Sequence, residues 1–208
     1  MPLITCEMRW FLEGPLPEEV ERWFDQGRQS AARTWREDRY LLPGIADMGI
    51  KQREGRLEIK GRTGKLGAHA IAPEIEGNAE RWCKWSHDVA SIAAGLRGCL
   101  EGQETIVVGK GRMQRHFLLE PGGLAQEVAQ RDLARRGFSI ELTRIRVPSG
   151  DDYWSLGIEA APDDPALLAD LLRALGDILQ GFPVPLPRAR SQSYPRWPAR
   201  LEPDVGES

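Results

Sequence analysis

Eight segments of this chain alternate side-chain character with a period of two, and the polar half of the alternation is ionic. They are residues 4–12, 34–42, 48–53, 56–62, 78–86, 105–118, 138–147 and 153–160. A period of two is the signature of a half-buried strand. Eight such strands, with helical stretches inserted between some of them, predict an antiparallel α+β protein rather than βαβ alternation. Eight is also the strand number at which a small barrel closes around a filled interior. Glu54-Gly55 sits between the third and fourth segments and predicts a two-residue hairpin.

The placement of charge is the unusual feature. In the first segment Glu7 and Arg9 share a face, opposite Ile4, Cys6, Met8, Trp10 and Leu12. The hairpin puts Lys51, Arg53, Glu58, Lys60 and Arg62 on one side against Leu57 and Ile59. Lys110, Arg112, Gln114 and His116 line up in the sixth segment. Late in the chain Glu141 pairs with Thr143, and Ser155, Gly157 and Glu159 face away from Trp154, Leu156 and Ile158.

Two architectures account for this. In one, an open sheet packs its apolar face on helices and shows a charged face to water, where cross-strand ion pairs contribute a few tenths of a kcal/mol each. In the other, the sheet closes with the charges inside and the apolar face outside, under the helices. So many charges are tolerable only if the lumen is wet and takes a multiply charged ligand. Arginine and lysine would grip phosphoryl oxygens, and interleaved glutamates would hold a divalent cation.

The hairpin Lys51-Gln-Arg53-Glu-Gly-Arg-Leu-Glu58-Ile-Lys60-Gly-Arg62, the opening Glu7-Met-Arg9, and the late Glu141 and Glu159 together resemble the CYTH superfamily of triphosphate tunnel metalloenzymes. The likeness runs in order over roughly residues 4–180. It implies an eight-stranded antiparallel tunnel with helices packed outside, built from residues 1–181, followed by a Pro/Arg-rich tail over 182–208. It also implies a hydrolase of an inorganic or organic triphosphate that uses Mg2+ or Mn2+. By position, Arg9, Lys51, Arg53, Lys60, Arg62, Lys110 and Arg112 would bind phosphate. Glu7, Glu58, Glu141 and Glu159 would be metal ligands, with Glu7 and Glu159 catalytic. Two positions depart from the pattern: Thr5 stands where the first glutamate belongs, and the seventh strand lacks an aspartate near its start. A hydroxyl is a poor ligand for a hard cation. A tunnel that binds polyphosphate or a nucleotide without turnover, and an interaction module with a solvated sheet, are the alternatives.

Four helices are expected. The first follows Gly14-Pro15-Leu16-Pro17 with Val20, Trp23 and Phe24 in helical spacing, ended by Gly27. A weaker one covers residues 89–96, with Ile92 and Ala93. A third runs from Leu124 through Val128 and Leu133 to a stop at Gly137. The fourth has Asp164 as cap, Pro165 in its first turn, and a stripe of Leu168, Leu171, Leu172, Leu175 and Ile178 that is a core face or a homodimer face.

The remaining features exclude more than they assign. Cys6, Cys83 and Cys99 form no disulfide or zinc pattern, which with a charged start predicts a reducing, cytoplasmic setting. No apolar run reaches the ~20 residues of a membrane helix. A net charge of -3 disfavours bulk nucleic-acid binding. His69, His87 and His116 are scattered, and His116 alone falls in register with lumen candidates. Trp35, Trp82 and Trp85 are expected on the outer face.

Overall fold

The computed structural model describes residues 2–26, 33–42, 45–88 and 104–197. Its strands are β1 (Leu3–Glu13), β2 (Thr34–Leu41), β3 (Met48–Arg53), β4 (Arg56–Ala72), β5 (Ile75–Asp88), β6 (Thr105–Leu119), β7 (Ala125–Val128), β8 (Gly137–Arg146) and β9 (Asp152–Ala161). The order β2-β3-β4-β5-β1-β9-β8-β6 closes through β2–β6 pairing into an eight-stranded antiparallel barrel, with β7 appended to β6. Helices α1 (Glu18–Asp25) and α2 (Leu167–Ile178) and a 3-10 turn at Arg188–Arg190 complete the described elements. Among the described residues no helix is long and apolar enough to cross a membrane.

The larger of the two hydrophobic clusters lies outside the barrel. Met8 and Trp10 of β1, Met113 and Phe117 of β6, Phe138 to Leu142 on alternate positions of β8, and Leu156 and Ile158 of β9 all bury against α1 and α2. Val20 and Phe24 come from α1, and Leu167, Leu171 and Leu175 from α2. In β1, β6, β8 and β9 the apolar half of the alternation therefore faces the helices, and the ionic half is left for the lumen. Trp10 shows how tightly this layer is built: it is fully buried, donates its indole N–H to the Glu76 carbonyl at 2.8 Å, and occupies the space a side chain at Gly77 would need.

Local chemistry explains most element boundaries. Glu54 and Gly55 both adopt positive φ, 47° and 73°, the geometry of the tightest hairpin turn. Before α2, Asp164 accepts the Ala166 N–H at 2.8 Å, so it caps the turn that leads into the helix rather than the helix itself.

Three expectations need correction. The region from Leu124 to Leu133 is not a helix. Residues 125–128 pair with the end of β6 as β7, and Leu124 and Leu133 are exposed, so no apolar face exists for a helix to bury. Gly122 and Gly123, both at positive φ, turn the chain back, and Arg115 clamps Glu127 across the new pair. Gly137 begins β8, where a Cβ would collide with the Phe117 carbonyl. Second, β4 continues ten residues past Arg62, to Ala72, with irregular register at Arg62/Gly64 and Lys65/Gly67. Its glycines are the bulges of a long strand, not a loop. Third, Trp82 faces inward, as the next section describes. The expected helix at 89–96, Gly27, Cys99 and residues 198–208 lie outside the described residues.

Candidate functional site: a charged lumen

The lumen encloses a cavity of about 130 Å³, several times what one water needs. Eight cationic side chains line it: Arg9, Arg36, Lys51, Arg53, Lys60, Lys84, Lys110 and Arg112. Five glutamates do so as well: Glu7, Glu58, Glu80, Glu141 and Glu159. A protein with a formal charge of -3 thus concentrates an excess of positive charge on one concave wall.

Strand register creates this gathering. Across β5, β1 and β9, Glu80, Glu7 and Glu159 stand in one row. Glu141 of β8 lies opposite Gln114 of β6, and Arg112 lies opposite Thr143. Lys110 is opposite Arg36 on the closing strand β2. Gly157 has a positional reason: a Cβ there would overlap the Arg9 guanidinium, so glycine leaves the space in which Arg9 reaches Ser155. Gly109 and Gly111 play no phosphate-loop role; on the outer face they make room for the Trp35 ring.

The acidic groups are largely neutralised from within. Glu141 takes Arg9 Nη2 at 3.0 Å, Arg112 Nε at 2.7 Å, Thr143 Oγ1 at 3.2 Å and Gln114 Nε2 at 3.3 Å. Burial opposes ionisation there, yet the Arg9 and Arg112 charges hold the carboxyl well below the usual range. Glu58 is likewise lowered to about 2 against burial, by Lys51, which stands at 3.0 Å, and by Lys84; Arg53 also pairs with it. Burial also pushes against Glu7, but the Lys60 ammonium and the Thr5 hydroxyl, at 2.6 Å, keep it lowered. Glu159 differs. Burial and the Glu7 charge raise its carboxyl, and the lysines on that side only partly offset them.

The cations are crowded, and this is the electrostatic signature of the site. Asp38, fully buried, anchors Lys110 at 2.8 Å, Lys51 at 3.3 Å and Arg36 at 3.4 Å. Burial still lowers Lys110 to about 7. Burial and the Lys110 charge lower Lys51 to about 8. Arg36 is depressed by burial and then by the charge of Arg112. Arg53 Nε is buried with no hydrogen-bond partner. Like charges held this close leave an electrostatic cost that an anion would relieve.

Of the residues expected from sequence, all line the cavity except Arg62, whose guanidinium is taken up by Glu80 and Asp47. Sequence reasoning missed Arg36, Asp38 and Tyr40, although they alternate along residues 34–42 with the right period. It also missed Glu80 and Lys84, and it placed Trp82 outside. Trp82 is fully buried facing the lumen, with Lys60 5.1 Å from its ring centre and its N–H on Glu80. The adjacent Glu80 and Lys84 carry the signal that its face is the ionic one. His116 sits on the lumen side of β6 but pairs with Ser139 at 2.8 Å and does not line the cavity. Cys6 is buried on the outer face, its thiol pushed up to about 12 by burial, which makes it inert.

Among the described residues no three His, Cys, Asp or Glu side chains converge as a ready metal cage. Glu58 and Glu141, encased in cationic donors, do not fit the metal-ligand role the resemblance implies. Glu7 and Glu159 do fit it, as neighbouring carboxylates with a charge conflict that a cation would relieve. Mg2+ commonly binds through one or two carboxylates together with substrate phosphates.

No family model matches the chain, and no curated protein sequence does. A chain in the structure of the Schizosaccharomyces pombe Mediator head module is similar over 85% of this chain and 91% of its own, with 6% identity and a TM-score of 0.46. The S. pombe Pct1 RNA triphosphatase, solved in complex with the Spt5 CTD, is similar over 86% and 81%, with 12% identity and a TM-score of 0.36. Matches this distant carry no argument about activity.

Proposed function

We propose that the lumen binds the triphosphate group of a small inorganic or organic compound, and that the protein is a divalent-metal-dependent triphosphate hydrolase. The observation that carries this reading is the crowding of Arg36, Lys51, Lys110 and Arg112 around one enclosed cavity. Burial so lowers two of these lysines that a polyanion, not solvent, is the partner that would hold them charged.

Arg9, Arg36, Arg53 and Arg112 would grip phosphoryl oxygens through paired N–H donors, and Lys51, Lys60 and Lys110 would act as point charges. Holding the chain in one line while offsetting developing charge is the main source of catalysis in phosphoryl transfer. Glu7 and Glu159 would hold Mg2+ or Mn2+, which would supply charge neutralisation at the phosphoryl group when bound. Of that pair, burial and the Glu7 charge push Glu159 up while Lys60 holds Glu7 down, so a cation bound by the pair would relieve the conflict at Glu159 first. Glu159→Gln is expected to abolish metal-dependent phosphate release while tripolyphosphate binding persists. Unchanged turnover would remove Glu159 from the reaction.

A second reading, binding without turnover, is favoured by Thr5 and by the encasement of Glu58 and Glu141. Metal-independent binding with no phosphate release would select it.

The lysines give both readings a pH dependence. In the ligand-free protein Lys110 and Lys51 lose protons at about 7 and about 8, and an anion would pull those protons back. Affinity for tripolyphosphate should therefore fall between pH 8 and 10, by about tenfold per unit for each lysine involved. The same lowering has the opposite sign for ligand-free stability. The unfolded chain binds these protons more tightly, so the lysines' contribution rises with pH from about 7 towards 10.5. Calorimetric titrations at several pH values check the first trend, and a flat profile would contradict it.

A further inference from the structure

β1 and β5 pair only as far as Glu7 and Glu80; beyond them the two strands part. The C-terminal segment fills the seam. It is pinned at Leu186 by hydrogen bonds with Glu74 and Glu76, and turns at Arg188–Arg190. Ser191 then bridges Trp10, and the Gln192 N–H donates to the Arg9 carbonyl at 2.9 Å. On the other side Asn78 donates its backbone N–H to Ser191 Oγ at 2.9 Å and its amide to the Ser191 carbonyl at 3.1 Å. The chain thereby passes between two staves and reaches the lumen, where Gln192, Ser193, Tyr194 and Pro195 form part of the cavity wall.

Its aromatic residues close one end. Tyr194 lies over Lys110 Nζ at 3.6 Å and over the Arg9 guanidinium at 4.7 Å. Trp197 stacks on Phe11, and both bury with Tyr40, Val108, Ile145 and Val147. The lumen is thus zoned, ionic in the middle and apolar beyond Tyr194. A phosphate chain has no route through that apolar end, because charged oxygens would lose their hydration with nothing to replace it.

Where the segment meets the ionic zone, the buried polar atoms it leaves without a hydrogen-bond partner include Ser193 Oγ and Gln192 Oε1. Buried polar atoms are almost always paired, so orphans on residues that line a cation-rich cavity point to a ligand. We infer that Gln192 and Ser193 are ligand contacts that receive the terminal phosphoryl group, so that the site accepts the end of a phosphate chain rather than a chain threaded through the barrel. This rests on the phosphate reading of the lumen. The Ser193 hydroxyl donates to a phosphoryl oxygen, and the Gln192 amide, rotated, offers its NH2.

Two shape-conserving variants test it by calorimetric titration of tripolyphosphate into the full chain. Ser193→Ala is expected to weaken binding about tenfold, the effect of one hydrogen bond to a charged group. Gln192→Glu, which sets a carboxylate against the phosphoryl group, is expected to weaken it more. Both should leave the ligand-free melting temperature unchanged or raised, since neither atom has a partner to lose. Affinity within twofold of the unaltered chain in both variants would overturn the strap's role alone. No binding by the unaltered chain would overturn the phosphate reading and the strap's role together.

Discussion

Below pH 7, where Lys110 carries its proton, Lys110→Met is expected to destabilise the protein by about 3 kcal/mol, because it takes the nearest counter-charge from a carboxylate that has no access to water. Asp38 is fully buried and Lys110 is 2% exposed, and their 2.8 Å contact is the shortest Asp38 makes with a cation. Lys51 and Arg36 stay within 3.3–3.4 Å and limit the damage. At about 2–4 °C per kcal/mol for a domain of this size, the melting temperature should drop by roughly 6–12 °C. Methionine fills similar volume, so the loss is electrostatic rather than a cavity effect. Adding Asp38→Asn to the same chain removes the stranded charge and should recover most of the drop. A double variant less stable than Lys110→Met alone would mean that Asp38 is not held by this lysine.

The second large effect concerns binding. Arg9→Ala with Arg112→Ala removes two guanidiniums that converge on the cavity, each good for about 1.5–3 kcal/mol in charge-assisted hydrogen bonds. Tripolyphosphate affinity should fall at least a hundredfold. Both arginines are engaged by Glu141 in the ligand-free protein, so the companion variant Glu141→Gln has the opposite expected sign. It frees both cations, and the anion should bind as tightly as before or more tightly. If Glu141→Gln instead weakens binding, Glu141 contacts the ligand or its metal directly, and its role as an internal counter-ion is wrong.

These variants rest on features that were unequally legible in the sequence. The strands were legible because they alternate with a period of two, but alternation fits an open sheet as well as a barrel, and the ordered resemblance of the charged hairpin and the flanking glutamates was what favoured closure. The Glu54-Gly55 hairpin was legible because only a few residue pairs tolerate two positive φ angles in succession. The segment 124–133 misled because its apolar spacing fits a helix equally well, and only the available edge of β6 decides for a strand. Asp38 was invisible for a different reason: a lone aspartate in a charged segment looks solvated until β2 closes the barrel and buries it beneath Lys110. The roles of Gln192 and Ser193 could not be read either, since nothing local says that β1 and β5 part and admit the chain between them.

The most direct test of the account is the thermal melt of the unaltered protein with and without tripolyphosphate, each in the presence and absence of Mg2+ or Mn2+. An anion site in the lumen predicts a stabilisation of about 2.7 kcal/mol at a hundred times the dissociation constant. That corresponds to a rise of roughly 5–11 °C, and it should be lost in the Arg9→Ala, Arg112→Ala chain. No rise at millimolar tripolyphosphate under any of these conditions would contradict the account, and the lumen would then be a self-neutralised ion-pair network with no anion to bind.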